Sequence, residues 1–123
     1  MTRTLDNLPI LEFETSVELR AWLEEHHASS KGMWLRIYKK HSGIRSVTFE
    51  QVLDEGLCFG WSESTRQKYD DVSYLQKFTP RKSIGTQSAR NLARTKLLIQ
   101  QGRMKSSGLI ALGRNIKIDE HAS

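Results

Sequence analysis

Cysteine is almost missing from this sequence. The one thiol, Cys58, has no partner in the chain, which excludes an internal disulfide and a disulfide-built scaffold. Long hydrophobic runs are also missing, and nothing approaches the ~20 apolar residues that a bilayer-spanning helix needs. Met1 to Phe13 does not begin basic and continue apolar, so it does not read as a secretory signal. No membrane span and a reducing, cytoplasmic setting are therefore expected. Signature motifs are lacking as well. There is no Gly-x-Ser-x-Gly elbow, no Gly-x-Gly-x-x-Gly fingerprint, and no phosphate loop ending in Gly-Lys-Ser/Thr. His26 and His27 are adjacent, so on a helix they point roughly 100° apart and cannot chelate one ion together. The sequence thus calls for no catalytic group, no metal and no cofactor.

The most informative absence is that of acid. Residues 72–118 carry ten Lys and Arg side chains and no Asp or Glu. Residues 1–71 carry nine basic and twelve acidic side chains, so the overall charge of +5 hides a −3 half followed by a +10 stretch. Such asymmetry points to a partner of negative charge, either an anionic small molecule or an acidic protein surface. A solvated basic face that only maintains solubility is the alternative.

What is present describes one α+β domain. A chain of 123 residues with 37% apolar content suits a single domain over 1–123. Its core is expected over about 15–113, with a flexible tail over 114–123. Residues 1–14 read as an extended lead-in. Thr15 with Glu18 fits a capping box, and Leu19, Trp22 and Leu23 follow as one apolar stripe of a helix ending near His27. Met33 to Lys40 reads as a strand. Thr48 with Gln51 is a second capping box, Val47 can staple onto Val52, and Gly60 is the natural stop. Gly56 inside that helix is expected to permit close packing.

Trp61 to Lys68 and Tyr74 to Thr79 alternate like the strands of an antiparallel hairpin, which Pro80 ends. A third helix is expected over about 87–101, with Ser88 as its cap and Gly102 as its stop. A short fourth helix follows Ser106-Ser107 and uses Leu109, Ile110 and Leu112. The order α-β-α-β-β-α-α predicts a two-layer domain with a small, mainly antiparallel sheet.

Several residues could bind a ligand. The loop from Lys39 and Lys40 to Ser46 precedes a helix N-terminus, where free N–H groups attract anions; a plain surface loop is the other reading. Cys58 lies between Leu57 and Phe59 with no activating base nearby, and reads as core packing. The acid pairs Glu24-Glu25, Asp54-Glu55 and Asp70-Asp71 are expected on exposed faces or in a turn. Glu63 follows Trp61 and lies near Arg66 and Lys68, as a site carboxylate or as an ion-pair partner across the strands. The run Tyr74 to Lys82 interleaves aromatics with Lys77, Arg81 and Lys82, a pattern that suits bases and phosphates as well as a half-exposed strand. Arg90 and Arg94 share a helix face and would extend the cationic surface.

Five segments in order carry a resemblance. They are Gly32-Met33-Trp34-Leu35 with Tyr38-Lys39-Lys40; Leu57 to Trp61; Tyr74 to Lys82; Ser88 with Asn91; and Gly102-Arg103-Met104 with Gly108-Leu109. Over roughly residues 16–113 the chain resembles the bacterial bacteriocin-protection family, also termed YdeI or OmpD-associated. The resemblance implies a small α+β domain, a part in resisting bacteriocins or peptide stress, and a link to an outer-membrane porin. It implies no catalytic residues. The chain departs from the family pattern at Ser62-Glu63-Ser64, where Ile-Asp-Gly is usual, and at Gln87, where Trp is usual.

Three functions follow as expectations. The first is a non-enzymatic binding protein whose basic surface meets an anionic ligand or acidic partner through Lys39, Lys40, Trp61, Glu63, Arg66, Lys77, Arg81 and Arg90. The second is a nucleic-acid-binding module using the basic 72–118 surface. The third is an enzyme with a pocket around Trp61, Glu63 and Arg66.

Overall fold

Asp6 and Asn7 turn the chain back on itself in left-handed backbone, at φ 52° and 64°. Two-residue hairpin turns of this hand require positive φ at both central positions, and Asp and Asn tolerate it best after glycine. The lead-in is therefore a hairpin, β1 (Thr4–Leu5) and β2 (Leu8–Leu11), and not merely extended chain. The computed structural model describes residues 3–113. The expected tail over 114–123 lies outside the described residues.

Helix α1 (Ser16–His26) follows, then β3 (Met33–Tyr38), α2 (Phe49–Phe59), β4 (Trp61–Lys68), β5 (Ser73–Pro80), α3 (Ala89–Gln100) and α4 (Ser106–Leu112). The five strands form one sheet in the order β1-β2-β3-β5-β4. Only the β2–β3 pairing is parallel, because α1 carries the chain across between them. The fold is thus a small α+β domain whose sheet is mainly antiparallel, as expected, and two strands larger than expected.

The helix ends obey their caps. Thr48 and Gln51 form a complete capping box on α2, and Gly60 closes that helix in left-handed backbone at φ 76°. Thr15 caps α1 by accepting from the Glu18 N–H at 3.3 Å. The return arm differs from a capping box, because the Glu18 carboxylate accepts from the Glu14 N–H. Ser88 caps α3 by accepting from the Asn91 N–H.

Alternation along the strands builds two apolar layers. On the helix side, Met33, Leu35, Ile37 and Phe78 join Leu19, Leu23, Val47, Val52, Leu57, Phe59, Trp61 and Leu98 in the main core. That core begins earlier than residue 15, since Leu11 and Phe13 pack against it. On the other side Trp34 and Leu75 are buried outside the main cluster. The first hairpin covers Trp34, whose indole N–H donates to the Leu5 carbonyl at 3.1 Å. The β4–β5 turn is closed by Asp70, which accepts from the Ser73 hydroxyl and the Val72 N–H and pairs with Arg36 at 2.7 Å. The Ser73 hydrogen bond, foremost, holds the Asp70 carboxyl below the ordinary carboxylate range.

Helices α2 and α4 touch backbone to backbone. A Cβ at Gly108 would run into the Leu57 and Cys58 carbonyls, which cannot yield as a flexible side chain can. Gly108→Ala is accordingly expected to cost about 1–3 kcal/mol and to lower Tm by roughly 5–15 °C, as scanning calorimetry would show. Gly56 is tight in the same way, against the Phe78 ring, so the close packing expected there is present. Ile110, expected in the core, instead points outward from α4 while Ala111 and Leu112 are buried.

Candidate anion-binding groove

The face of the sheet away from the helices carries a groove. Register pairs Trp34 with Lys77 and Ser62 with Thr79, and alternation sets these four opposite the face of Met33 and Phe78. The Ser30-Lys31 loop that leads into β3 forms one wall. The chain leaving β5, from Arg81 to Ser83 and Thr86, forms another, and Asp6 and Leu8 of the first hairpin form a third. The groove is open to solvent and has a volume of about 870 Å³. Lys31, Lys77, Arg81 and Lys82 converge there with the hydroxyls of Ser30, Ser62, Ser64, Thr79, Ser83 and Thr86.

None of those four cations has a carboxylate within ion-pair distance among the described residues. Lys77 Nζ lies 5.7 Å from the Trp34 ring centroid, and Arg81 Nη1 donates to Thr86 Oγ1 at 3.0 Å. Asp6 is the one acid in the lining. Ammonium, guanidinium and hydroxyl donors around one space suit an oxyanion.

The sequence-predicted residues do not form one site. Lys77 and Arg81 meet in the groove. Lys39 and Lys40 are exposed beyond the far end of β3, about 17 Å along the strand from Met33. The helix N-terminus near them carries its own capping box, which takes up the Thr48 and Gln51 N–H groups. Trp61 is 2% exposed and belongs to the core, packed against Trp22 and Phe78 at 6.0 and 5.1 Å between centroids.

Glu63 and Arg66 do not pair. The ladder shifts register between them, and Arg66 stacks between Phe49 and Tyr74 at 5.0 and 4.4 Å. Glu63 is half-buried, with no ion pair among the described residues. It shares a separate hollow of about 290 Å³ with Arg90, Phe49 and Leu53.

The acid-free stretch is likewise not one basic surface. Acids from the first half fold onto it. Arg94 meets Asp54 through two bonds of 2.7 and 2.6 Å, so it does not extend the cationic face with Arg90. Arg103 meets Glu55 at 3.0 Å, and Lys105 meets Glu24 at 3.3 Å. Asp54 and Glu55 are therefore buried, contrary to the exposed position expected of them. Burial also pushes the Cys58 thiol up, against the opposing hydrogen bond with Arg20, which fits core packing and not a nucleophile.

Lys31, Ser62 and Ser64 are groove residues that sequence reasoning did not select. The signal for the serines was their spacing of two on a strand, which sets both on one face. They flank Glu63 at a point where the chain departs from the resembled pattern. At the other departure, Gln87 ties to α4 by donating to the Ala111 carbonyl at 3.0 Å.

Among the described residues no cluster of three His, Cys, Asp or Glu side chains could hold a metal ion. No helix among them is long and apolar enough to cross a membrane. A family profile matches residues 11–111, which takes in the whole core and nearly all of the groove. The chain belongs to the family described as a domain of unknown function, DUF8412. No curated protein and no solved structure matches the chain. The DUF8412 match begins at Leu11, the first side chain packed on the main core.

Proposed function

We propose that this chain is a small non-enzymatic binding protein that takes an anionic small molecule, with phosphate as the preferred group, in the groove between Lys31, Lys77, Arg81 and Lys82. The observation that carries this reading is the convergence of four cations without acid partners on one hydroxyl-lined space. Its volume lies within the usual range of small-ligand sites, roughly 300–1,000 Å³. The resemblance to bacteriocin-protection proteins supports a cytoplasmic stress role for such binding. A protein of charge +5 repels cationic peptides, so its protection would be indirect.

A melting-point screen tests the reading. Pyrophosphate or a sugar phosphate at about 100 times its Kd should stabilise the fold by about 2.7 kcal/mol, a shift of several degrees. Lys77→Glu with Arg81→Glu should abolish the shift and leave the unliganded Tm within about 2 °C, since both side chains lie outside the main core. Absence of any shift in the wild type would remove the reading.

Nucleic acid is the weaker alternative, because the aromatics interleaved with Lys77 and Arg81 are not presented. Phe78 is fully buried, and Tyr74 is half-buried beneath Arg66. DNA or RNA binding would instead appear as an affinity falling by about 0.7–0.9 decades per decade of salt for each phosphate contacted.

A further inference from the structure

A second cleft opens beside the groove, and its chemistry is opposite. It is an open cleft of about 400 Å³, lined among others by Phe59, Trp61, Ile84, Ile110 and Ala111. The two spaces share one wall, since Pro80, Arg81, Lys82 and Ser83 border both. Ile84 and Ile110, one from the loop after β5 and one from α4, are 65% and 66% exposed. Large aliphatic side chains left in water on the rim of one cleft mark a surface that apolar matter covers.

We infer that the ligand is a single-chain amphiphile, with its phosphate head among Lys77, Arg81 and Lys82 and its hydrocarbon tail in the cleft between Ile84 and Ile110. The inference rests on the anion-binding reading above and adds the tail. A cationic groove and an apolar cleft on the two sides of one wall, Pro80 to Ser83, are complementary to a molecule with both halves joined across it. A plain metabolite anion would use the groove alone and leave both isoleucines in water. A double-stranded polyanion would place charge against them. Arg81 and Lys82 stand at the junction, where the head of a bound amphiphile meets its tail.

Calorimetric titration of the full chain with hexyl, octyl and decyl phosphate, each as monomer, and with glycerol phosphate as the bare head tests this. Affinity should climb by up to about fourfold per methylene, from a weak value for glycerol phosphate. Ile110→Asp should flatten that climb and leave glycerol phosphate binding within twofold, because Ile110 is already exposed and its replacement opens no cavity. Lys77→Glu should weaken the whole series together. Equal affinity for all members would overturn the tail and leave the groove standing. No binding by any member, glycerol phosphate included, would overturn both. Binding to anionic lipid vesicles without binding to monomeric decyl phosphate would overturn the single-chain ligand.

Discussion

Glu55→Ala is expected to destabilise the protein by about 3–5 kcal/mol, a large share of the roughly 5–15 kcal/mol that holds a domain of this kind together. The Glu55 side chain is 3% exposed and accepts from two arginines, Arg20 at 2.8 Å and Arg103 at 3.0 Å. The arginines come from different parts of the chain, α1 and the segment between α3 and α4. Arg20 also donates to the Arg103 carbonyl at 2.6 Å and stacks on Phe59 at 5.3 Å. One carboxylate thus ties α1, α2 and the connection between α3 and α4 to each other. Its removal leaves Arg103 without a carboxylate and Arg20 with only the half-exposed Glu24 at 3.7 Å, two partly buried guanidinium groups held close together, which costs more than the pair contributes while intact.

Glu55→Gln should fall between wild type and Ala, since it keeps the shape and one acceptor. Urea unfolding at low and high salt checks the assignment. The loss should persist at 0.5 M salt, because screening acts weakly on a buried pair. Arg45→Ala is the contrasting case. It breaks the exposed pair with Glu14 at 3.6 Å and should change stability by at most ~0.5 kcal/mol. A Glu55→Ala protein as stable as wild type would show that the arginines regain water without cost.

The contrast between those two pairs marks what was legible in the sequence. Local features could be read because their partners lie close together in the chain. The Thr48–Gln51 box, the Ser88 cap, the Gly60 stop and the β4–β5 hairpin are of that kind. Partners far apart in the chain could not be read. Glu55 lies 35 residues from Arg20 and 48 from Arg103, and Asp54 lies 40 from Arg94. Nothing in a local pattern joins them, so the acids looked exposed and the basic stretch looked continuous. Folding mixes in space the charges that the chain keeps apart in sequence. The cations left without a carboxylate among the described residues include Arg90 and Lys96 and, in the groove, Lys77, Arg81 and Lys82. Lys77 and Arg81 were legible there because strand alternation and the stop at Pro80 are local. Lys31 was not, because only the β3–β5 pairing brings it near. The first hairpin was missed for a different reason, since its turn rests on Asp6-Asn7, a weaker signal than Asn-Gly or Asp-Gly.

Trp61 is where packing and ligand binding can be separated by one substitution. Trp61→Ala is expected to cost about 3–5 kcal/mol, because the emptied volume is walled by Trp22, Phe78 and the rest of the core and cannot collapse fully. Edge-to-face contact with Trp22, at 83° between ring planes, adds to the loss beyond the area buried. Trp61→Phe keeps much of the volume and should cost less than half as much. The groove should hardly notice either change. Lys77 and Thr79 lie on the opposite face of the sheet from Phe78 and the core, and Arg81 is held by its own backbone bond to the Gly60 carbonyl at 2.9 Å. Glycerol phosphate, which lacks a tail and so does not sample the cleft that Trp61 walls, should bind the folded variant within about twofold of wild type. Chemical denaturation and titration of the same sample below its melting point read the two effects separately. A Trp61→Ala protein of normal stability that no longer binds the bare head would make Trp61 a ligand residue and not a core one. The T-shaped stack on Trp22 and its 2% exposure predict the reverse.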